Sequence, residues 1–309
     1  MPVRISSLHV YPVKGCRGIE VDSADVTRTG LKFDRTWMVV TADSHRFVSQ
    51  RQKPRMALIE VSLPPEALSE SWGPLPPDAA LTLRAPGQDP LQVALDPKGP
   101  LGATLACSCW EWQGLARDEG EDAAAWLSAA LGRPCRLVRY IGVPQPTEVG
   151  ADATRRAVDE QYATGHETAF ADGFPFTMIS NPSLRELNQR MNANMRMNRF
   201  RPNITVDGCE PFAEDTWATA AVGSGSTATP PIVFDFVKPL SRCTVPTIDQ
   251  ETAQGGPEPT KTLQAYRSGQ SLGYNQEKSF KHAVFFGYNL VARATGWLAV
   301  GDLLQVAPR

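Results

Sequence analysis

One cysteine, Cys243, stands in the run KPLSRCTVPTID (Lys238–Asp249), directly after Ser241 and Arg242. A neighbouring cation favours the thiolate over the thiol, whose free pKa is about 8.5. A thiolate there is a nucleophile or a soft metal ligand. A Cys–His hydrolase needs a partner base, and none of His9, His45, His166 and His282 pairs with Cys243 on sequence grounds. A buried, inert thiol is the plainer alternative. The other cysteines, Cys16, Cys107, Cys109, Cys135 and Cys209, form no CxxC, which excludes a zinc ribbon or a thioredoxin-type dithiol. Cys107 and Cys109 read as alternate residues on one strand face.

Four other clusters carry groups suited to anions. In YPVKGCRG a strand ends at Val13, and Lys14, Gly15 and Gly18 follow in a loop where backbone N–H groups and the Lys14 charge can meet an anion. A surface turn has the same sequence. In LKFDRTW, Arg35 sits beside Asp34 at the start of an apolar strand, and a surface ion pair accounts equally well for both. Ser180, Asn181 and Ser183 open a helix whose free N–H groups attract phosphate, although every helix has such an end. In RFRPNI, Pro202 is expected to hold Arg201 extended and Asn203 opens a strand, a pair able to grip a phosphate and a heterocycle edge.

The elements that must position these groups are mostly strands. ISSLHVYPV, TWMVVTA, ALIEVSL, LTLRA, CRLVRY, FTMIS, NITVDG, PIVFDFV and AVFFGYNLV are short, apolar and bounded by Gly, Pro or Asp. Two helices stand out. EGEDAAAWLSAALG places Trp126, Leu127, Ala130 and Leu131 on one stripe, with Gly132 suited to end it. NPSLRELNQRMNANM places Leu184, Leu187, Met191 and Met195 on one stripe, with Asn181 as N-cap and Pro182 in the first position. The pattern predicts a β-rich α+β protein, barrel-like. Residues 63–78 and 218–231 read as surface loops, and residues 141–150 as the break between two domains.

The chain has 309 residues, 42% hydrophobic and 21% charged, with a formal net charge of −2. These are globular values, and the balance excludes a general nucleic-acid binder. No run of 18 apolar residues predicts a transmembrane anchor. The N-terminus MPVRISSLHVYPV alternates as a strand does and lacks a signal-peptide core, so the expected location is cytoplasmic, or mitochondrial if a targeting segment has been removed.

In order, YPVKGCRG, GLKFDRTW, RFRPNI with GCEPFAEDTW, SRCTVPTID, and FFGYN followed by VGD resemble the MOSC proteins, and among them the amidoxime-reducing component group. The resemblance covers nearly the whole chain. It implies a MOSC N-terminal region over 1–140 and a MOSC β-barrel domain over 145–309. It also implies that Cys243 ligates molybdenum in a Mo-molybdopterin cofactor of the sulfite-oxidase-like class, the pterin dithiolene supplying the other sulfurs. Lys14, Gly15 and Arg35 would then hold the cofactor phosphate and its surroundings. Ser180, Asn181 and Ser183 would meet the pterin and phosphate, and Arg201 and Asn203 would bind from the RPN strand. Ser241 and Arg242 would stand beside the metal ligand, with Asn289 nearby. The chain departs from the animal members at Gly15, where those commonly have serine, and in a longer small-residue loop before PIVFDFV.

The implied activity is reduction of small N-hydroxylated compounds such as amidoximes, hydroxylamines and N-hydroxylated bases, with nitrite to nitric oxide as a further reaction. The sequence has no dinucleotide fingerprint, no CxxCH and no iron–sulfur spacing. Electrons are therefore expected from a cytochrome b5-like donor and its NADH-dependent flavin reductase. The rival from another class is a cofactor-binding or sulfur-carrier module without reductase activity, against which the lack of an attached pyridoxal-phosphate domain counts.

Overall fold

Seven strands close a barrel in the computed structural model, which describes residues 2–69, 75–76, 78–96, 103–142, 153–223, 230–274 and 278–309. Around the barrel run Ile204–Asp207, Phe176–Ser180, Val284–Ala292, Ile232–Arg242, Trp217–Gly223, Leu303–Pro308 and Arg4–Val10, the last pairing back onto Ile204–Asp207. The first strand of the chain thus completes a barrel whose other strands all come from beyond residue 175. A register shift between Ile5 and Ser7 interrupts the alternation, so that Ile5 and Leu8, three apart, both face inward into the core with Met178, Ile204, Phe234 and Leu290. Phe176 and Phe234 meet edge to face, centroids 5.3 Å apart. Burying each such side chain is worth about 1.5–3 kcal/mol.

A five-stranded sheet packs beside the barrel, in the order Thr104–Cys109, Trp112–Asp118, Cys135–Arg139, Trp37–Thr41 and Val13–Lys14. Cys107 and Cys109 both point into its core with Met38, Val40 and Phe170, as their alternation predicted. The expected break between domains falls largely on residues 143–152, outside the described residues. The barrel takes Arg4–Val10 from the N-terminal side of that break, and Gly296–Ala299 pairs with Ser23–Thr27 across it.

Both predicted helices form. Glu121–Leu131 ends on Gly132 in the left-handed conformation and buries Ala123, Ala124, Leu127 and Leu131, while Trp126 and Ala130 are only partly covered. Asn181–Met191 is capped one residue earlier than expected. Ser180 is the N-cap, its Oγ accepting the Ser183 N–H, and Pro182 takes the second position. The helix stops at Asn192, so Met195 packs from the following turn. One expected loop is largely structured. Residues 217–223 are a strand between Ile232–Arg242 and Leu303–Pro308, because Ala220 and Val222 suffice to fill the barrel wall there. The rest of that loop, 224–229, lies outside the described residues. In the other expected loop Ala67 is buried in the second core, and residues 70–74 and 77 lie outside the described residues.

Candidate active site

A cleft of about 460 Å³ opens where the barrel meets the second sheet. Six cationic side chains line it, Lys14, Arg35, Arg51, Arg201, Lys238 and Arg242, against one carboxylate, Asp172. In a chain with a net charge of −2 this is a strong local concentration of positive charge.

The strand Ile232–Arg242 delivers Cys243. Pro239 cannot donate to the ladder, and the register against Val284–Ala292 shifts between Phe236 and Lys238 and again between Pro239 and Ser241. The strand then ends, leaving Ser241 exposed and Arg242 and Cys243 half-buried in the cleft wall. The Cys243 Sγ accepts the Val245 N–H at 3.5 Å. The loop beyond is clamped. Arg199 bonds the Pro246 carbonyl at 2.9 Å and the Asp249 carboxylate at 2.7 Å. Gln50 donates to Gly15 O at 2.7 Å and to Gln250 Oε1 at 3.0 Å, tying the Lys14 loop to the Cys243 loop.

Lys14 is buried and donates to Phe170 O at 2.8 Å and to the Asp172 carboxylate. Lys14, with the Trp110 N–H, holds the mostly exposed Asp172 carboxyl below its usual range. Gly15 is at φ +86°, and a Cβ there would lie 2.8 Å from the Met56 methyl group. A serine would need both a strained backbone and movement of Met56. The Asp34–Arg35 pair exists at 2.6 Å, but it is buried rather than on the surface, with Asp34 4% exposed.

The arginines converge on Tyr11. Arg35 and Arg201 each place a guanidinium 4.4 Å from its ring centroid. Burial pushes the Tyr11 pKa up to about 12, and its hydroxyl has no hydrogen-bond partner among the described residues. Arg201 is not extended as Pro202 suggested. It sits at φ +54°, which turns its carbonyl to accept from Arg35 Nη2 at 3.1 Å. Its guanidinium has no hydrogen-bond or ion-pair partner among the described residues. Arg242 bonds Phe200 O at 2.5 Å, while its Nε is buried without a partner. Burial lowers the pKa of both Arg201 and Arg242 from the usual guanidinium value.

Lys14, Gly15, Arg35, Arg201, Asn203, Ser241, Arg242, Cys243 and Asn289 all line this one cleft. Asn203 has its amide committed, accepting from Thr177 N at 3.2 Å and donating to His9 O at 3.3 Å. Asn289 is 7% exposed and its amide has no partner among the described residues. Ser180, Asn181 and Ser183 do not line the cleft. It opens at Thr177, and three strand residues carry the chain about 10 Å away before the helix starts. There Ser183 Oγ donates to Glu214 at 2.9 Å and Asn181 Nδ2 donates to Ser6 at 2.9 Å. Residues that sequence reasoning missed are Asp172, Gly173 and Phe174, from the turn ADGFP, together with Gln50, Tyr11 and Trp110. The Asp-Gly pair was the available signal.

The unsatisfied groups fit an anionic ligand. A buried guanidinium without a counter-charge is costly, and phosphate is the group that Arg and Lys bind best. Among the described residues no cluster of three or more His, Cys, Asp or Glu could hold a metal alone. The cationic lining fits an anionic, phosphate-bearing group beside the Cys243 sulfur.

Residues 2–134 match the family model of the MOSC N-terminal beta barrel domain, and residues 165–305 match that of the MOSC domain. The mitochondrial amidoxime reducing component 2 of Bos taurus is 32% identical over 96% of this chain and 81% of its own length. The mitochondrial amidoxime-reducing component 1 of Mus musculus is 29% identical over 96% and 80%. The component 2 protein of Homo sapiens is 30% identical over 96% and 82%.

Proposed function

The chain belongs to the amidoxime-reducing component family of MOSC-domain proteins, and on that premise we propose that it is a molybdenum-cofactor-dependent reductase of small N-hydroxylated compounds. Amidoximes, hydroxylamines and N-hydroxylated bases are the substrate class, with nitrite as a further oxidant. For the N-hydroxylated substrates the net reaction takes two electrons and two protons, breaks the N–O bond and releases water, whereas nitrite takes one electron and two protons to give nitric oxide and water. The observation that carries this reading is the cleft itself, where Cys243 lies among cations of which Arg201, stacked on Tyr11, has no hydrogen-bond or ion-pair partner among the described residues.

When bound, the molybdenum cofactor supplies the two-electron chemistry that breaks an N–O bond. The protein holds and orients that group. Cys243 offers one soft ligand. Lys14, Arg35, Arg201 and Arg242 face the anionic end, with Gly15 leaving the backbone open to it. Ser241 and Asn289 supply hydrogen bonds at the edge. Asn203 acts indirectly, fixing the strand mouth through Thr177 and His9. The clamp on the Cys243 loop keeps its sulfur in one place, which favours a reproducible substrate pose.

Electrons come from outside the chain, through a cytochrome b5-like haem protein and its NADH-dependent flavin reductase. No helix among the described residues is long and apolar enough to cross a membrane. We place the protein in the cytoplasm, with mitochondria as the alternative in view of the relatives' names.

The test is molybdenum and pterin analysis of the purified protein together with turnover of benzamidoxime by an artificial reductant. Stoichiometric molybdenum with N-reduction supports the reading. Stoichiometric cofactor without turnover would replace it by a carrier module, and protein that takes up no molybdenum would end it.

A further inference from the structure

The cleft continues past Trp110. Phe47, Ser49, Arg51 and Trp110 form a wall shared with a second concavity of about 740 Å³. This groove adds Arg46 and Arg133, and against them only one acid, Glu111. The Ser108 hydroxyl lies among them, beside those of Ser44 and Ser49, which donate to Asp43 at 3.1 Å and Gln52 at 3.3 Å. Arg46, Arg51 and Arg133 have no carboxylate in ion-pair distance among the described residues. Guanidiniums beside hydroxyls make a donor set for phosphate.

The junction between the two concavities is aromatic. The Phe47 and Trp110 rings lie 4.7 Å apart, and Arg51 stacks on Trp110 at 4.9 Å. Trp110 opens the two-residue connection between Thr104–Cys109 and Trp112–Asp118, at φ +56°. That is a position for glycine, and a bulky residue held there is strained. Such strain persists where the surroundings impose it, often beside a ligand. Here the indole is 38% exposed and donates to Asp172 at 3.1 Å, the same carboxylate that Lys14 binds inside the cleft. The tryptophan thus joins the two concavities.

We propose that the groove is a subsite for a phosphate carried by the substrate. The preferred substrates are then N-hydroxylated heterocycles bearing a phosphate ester, nucleotides rather than nucleosides or free bases. The heterocycle lies against Phe47 and Trp110 with its N–O group toward Cys243, and the phosphate meets Arg46, Arg51 and Arg133. The inference rests on the N-reductase reading of the cleft.

Molybdenum-loaded protein is assayed with an artificial reductant on N-hydroxycytidine and on its 5′-monophosphate, with benzamidoxime as a neutral reference. The monophosphate is expected to have a kcat/KM higher by about tenfold, mostly through KM, and the ratio shrinks with added salt. In an Arg46→Gln/Arg133→Gln protein with unchanged melting temperature the ratio falls to near one, and Arg46→Lys/Arg133→Lys restores part of it. Calorimetric titration gives a second readout independent of turnover. Cytidine 5′-monophosphate binds the wild-type protein measurably tighter than cytidine does, and the Gln variant loses the difference. Equal kcat/KM for the two substrates, or a Gln variant that loses both alike, overturns the proposal. A Gln variant impaired only when a protein donor replaces the artificial reductant overturns it in favour of an acidic docking partner. If benzamidoxime is not reduced at all, the N-reductase reading fails, and the titration alone decides the groove.

Discussion

The two ends of the strand Phe176–Ser180 carry polar groups of similar type and opposite fates. At its start, Thr177 opens into the cleft beside Arg201, Arg242 and Asn289, whose donors have few or no protein partners. At its end, Ser180 and Ser183 are fully buried and satisfied. They bond each other, Ser183 donates to Glu214, and its Oγ accepts the Phe212 N–H at 2.8 Å. Both regions are polar and enclosed, and both looked like anion sites. The difference lies in unspent hydrogen-bonding capacity. The helix start spends its capacity inside the protein, whereas the Arg201 guanidinium keeps its donors unspent on acceptors among the described residues.

Four experiments would break or sharpen this contrast. The largest effect is expected from Cys243→Ala. N-reduction falls to background while the melting temperature moves by less than about 2 °C, since the side chain is half-buried and makes one weak hydrogen bond. Full activity in that variant would end the assignment of the cleft. Next comes Arg201→Gln. Loss of one charge-assisted contact lowers molybdenum and pterin occupancy roughly tenfold or more when cofactor is limiting. The cofactor-free protein melts only slightly below wild type, because the guanidinium loses its stacking on Tyr11, worth about 0.5–1 kcal/mol, and no hydrogen bond or ion pair among the described residues. A large loss of stability with normal occupancy would show that Arg201 is structural.

Ser183→Ala should do the reverse. It leaves Phe212 N–H and Glu214 short of a partner and lowers stability by about 1–3 kcal/mol, read by denaturant titration, without changing cofactor occupancy. The smallest effect is a pH dependence at Glu214. Burial raises its pKa above the ordinary 4.5. The neutral form is therefore the one the fold prefers, and its stabilising contribution is complete below about pH 4.5 and lost as pH rises through the higher folded-state value. The melting temperature of Glu214→Gln relative to wild type should accordingly rise between acid and neutral pH. A difference that is flat with pH would mean that the Glu214 pKa is the same in the folded and unfolded chain, and a difference that falls would mean that the fold prefers the ionised form.

Much was legible in the sequence. The stripe and glycine stop of residues 121–132, the stripe of residues 181–191, and the paired Cys107 and Cys109 all depend on residues two to four apart, and all appear in the structure, while the alternation of the first strand holds only from Leu8 to Val10, beyond a register shift. The errors came where a local rule met a distant partner. Asn181 is a good N-cap in isolation, but Ser180 took that place beside Glu214, 34 residues on. Pro202 biases its predecessor toward extended backbone, but Arg201 turned its carbonyl to Arg35, 166 residues away. The composition of residues 218–223 suggested a loop, and pairing on both sides made them a strand.

What the sequence determined by itself, then, is the kind of residue available at each point and the strand or helix that carries it, because periodicity, capping and turn chemistry act between near neighbours. It supplied Cys243 at a strand end, Gly15 at a left-handed turn, and cations at positions 14, 35, 201 and 242. Only the tertiary structure decided that those cations share one cleft and that Ser180 and Ser183 lie outside it. The first strand closes a barrel built from the last half of the chain, and this pairing carries Lys14 and Arg35 to Arg201 and Arg242. No local preference encodes such a pairing. It is selected by the apolar surface that the closed barrel buries and by the backbone hydrogen bonds that an open edge would leave unmade.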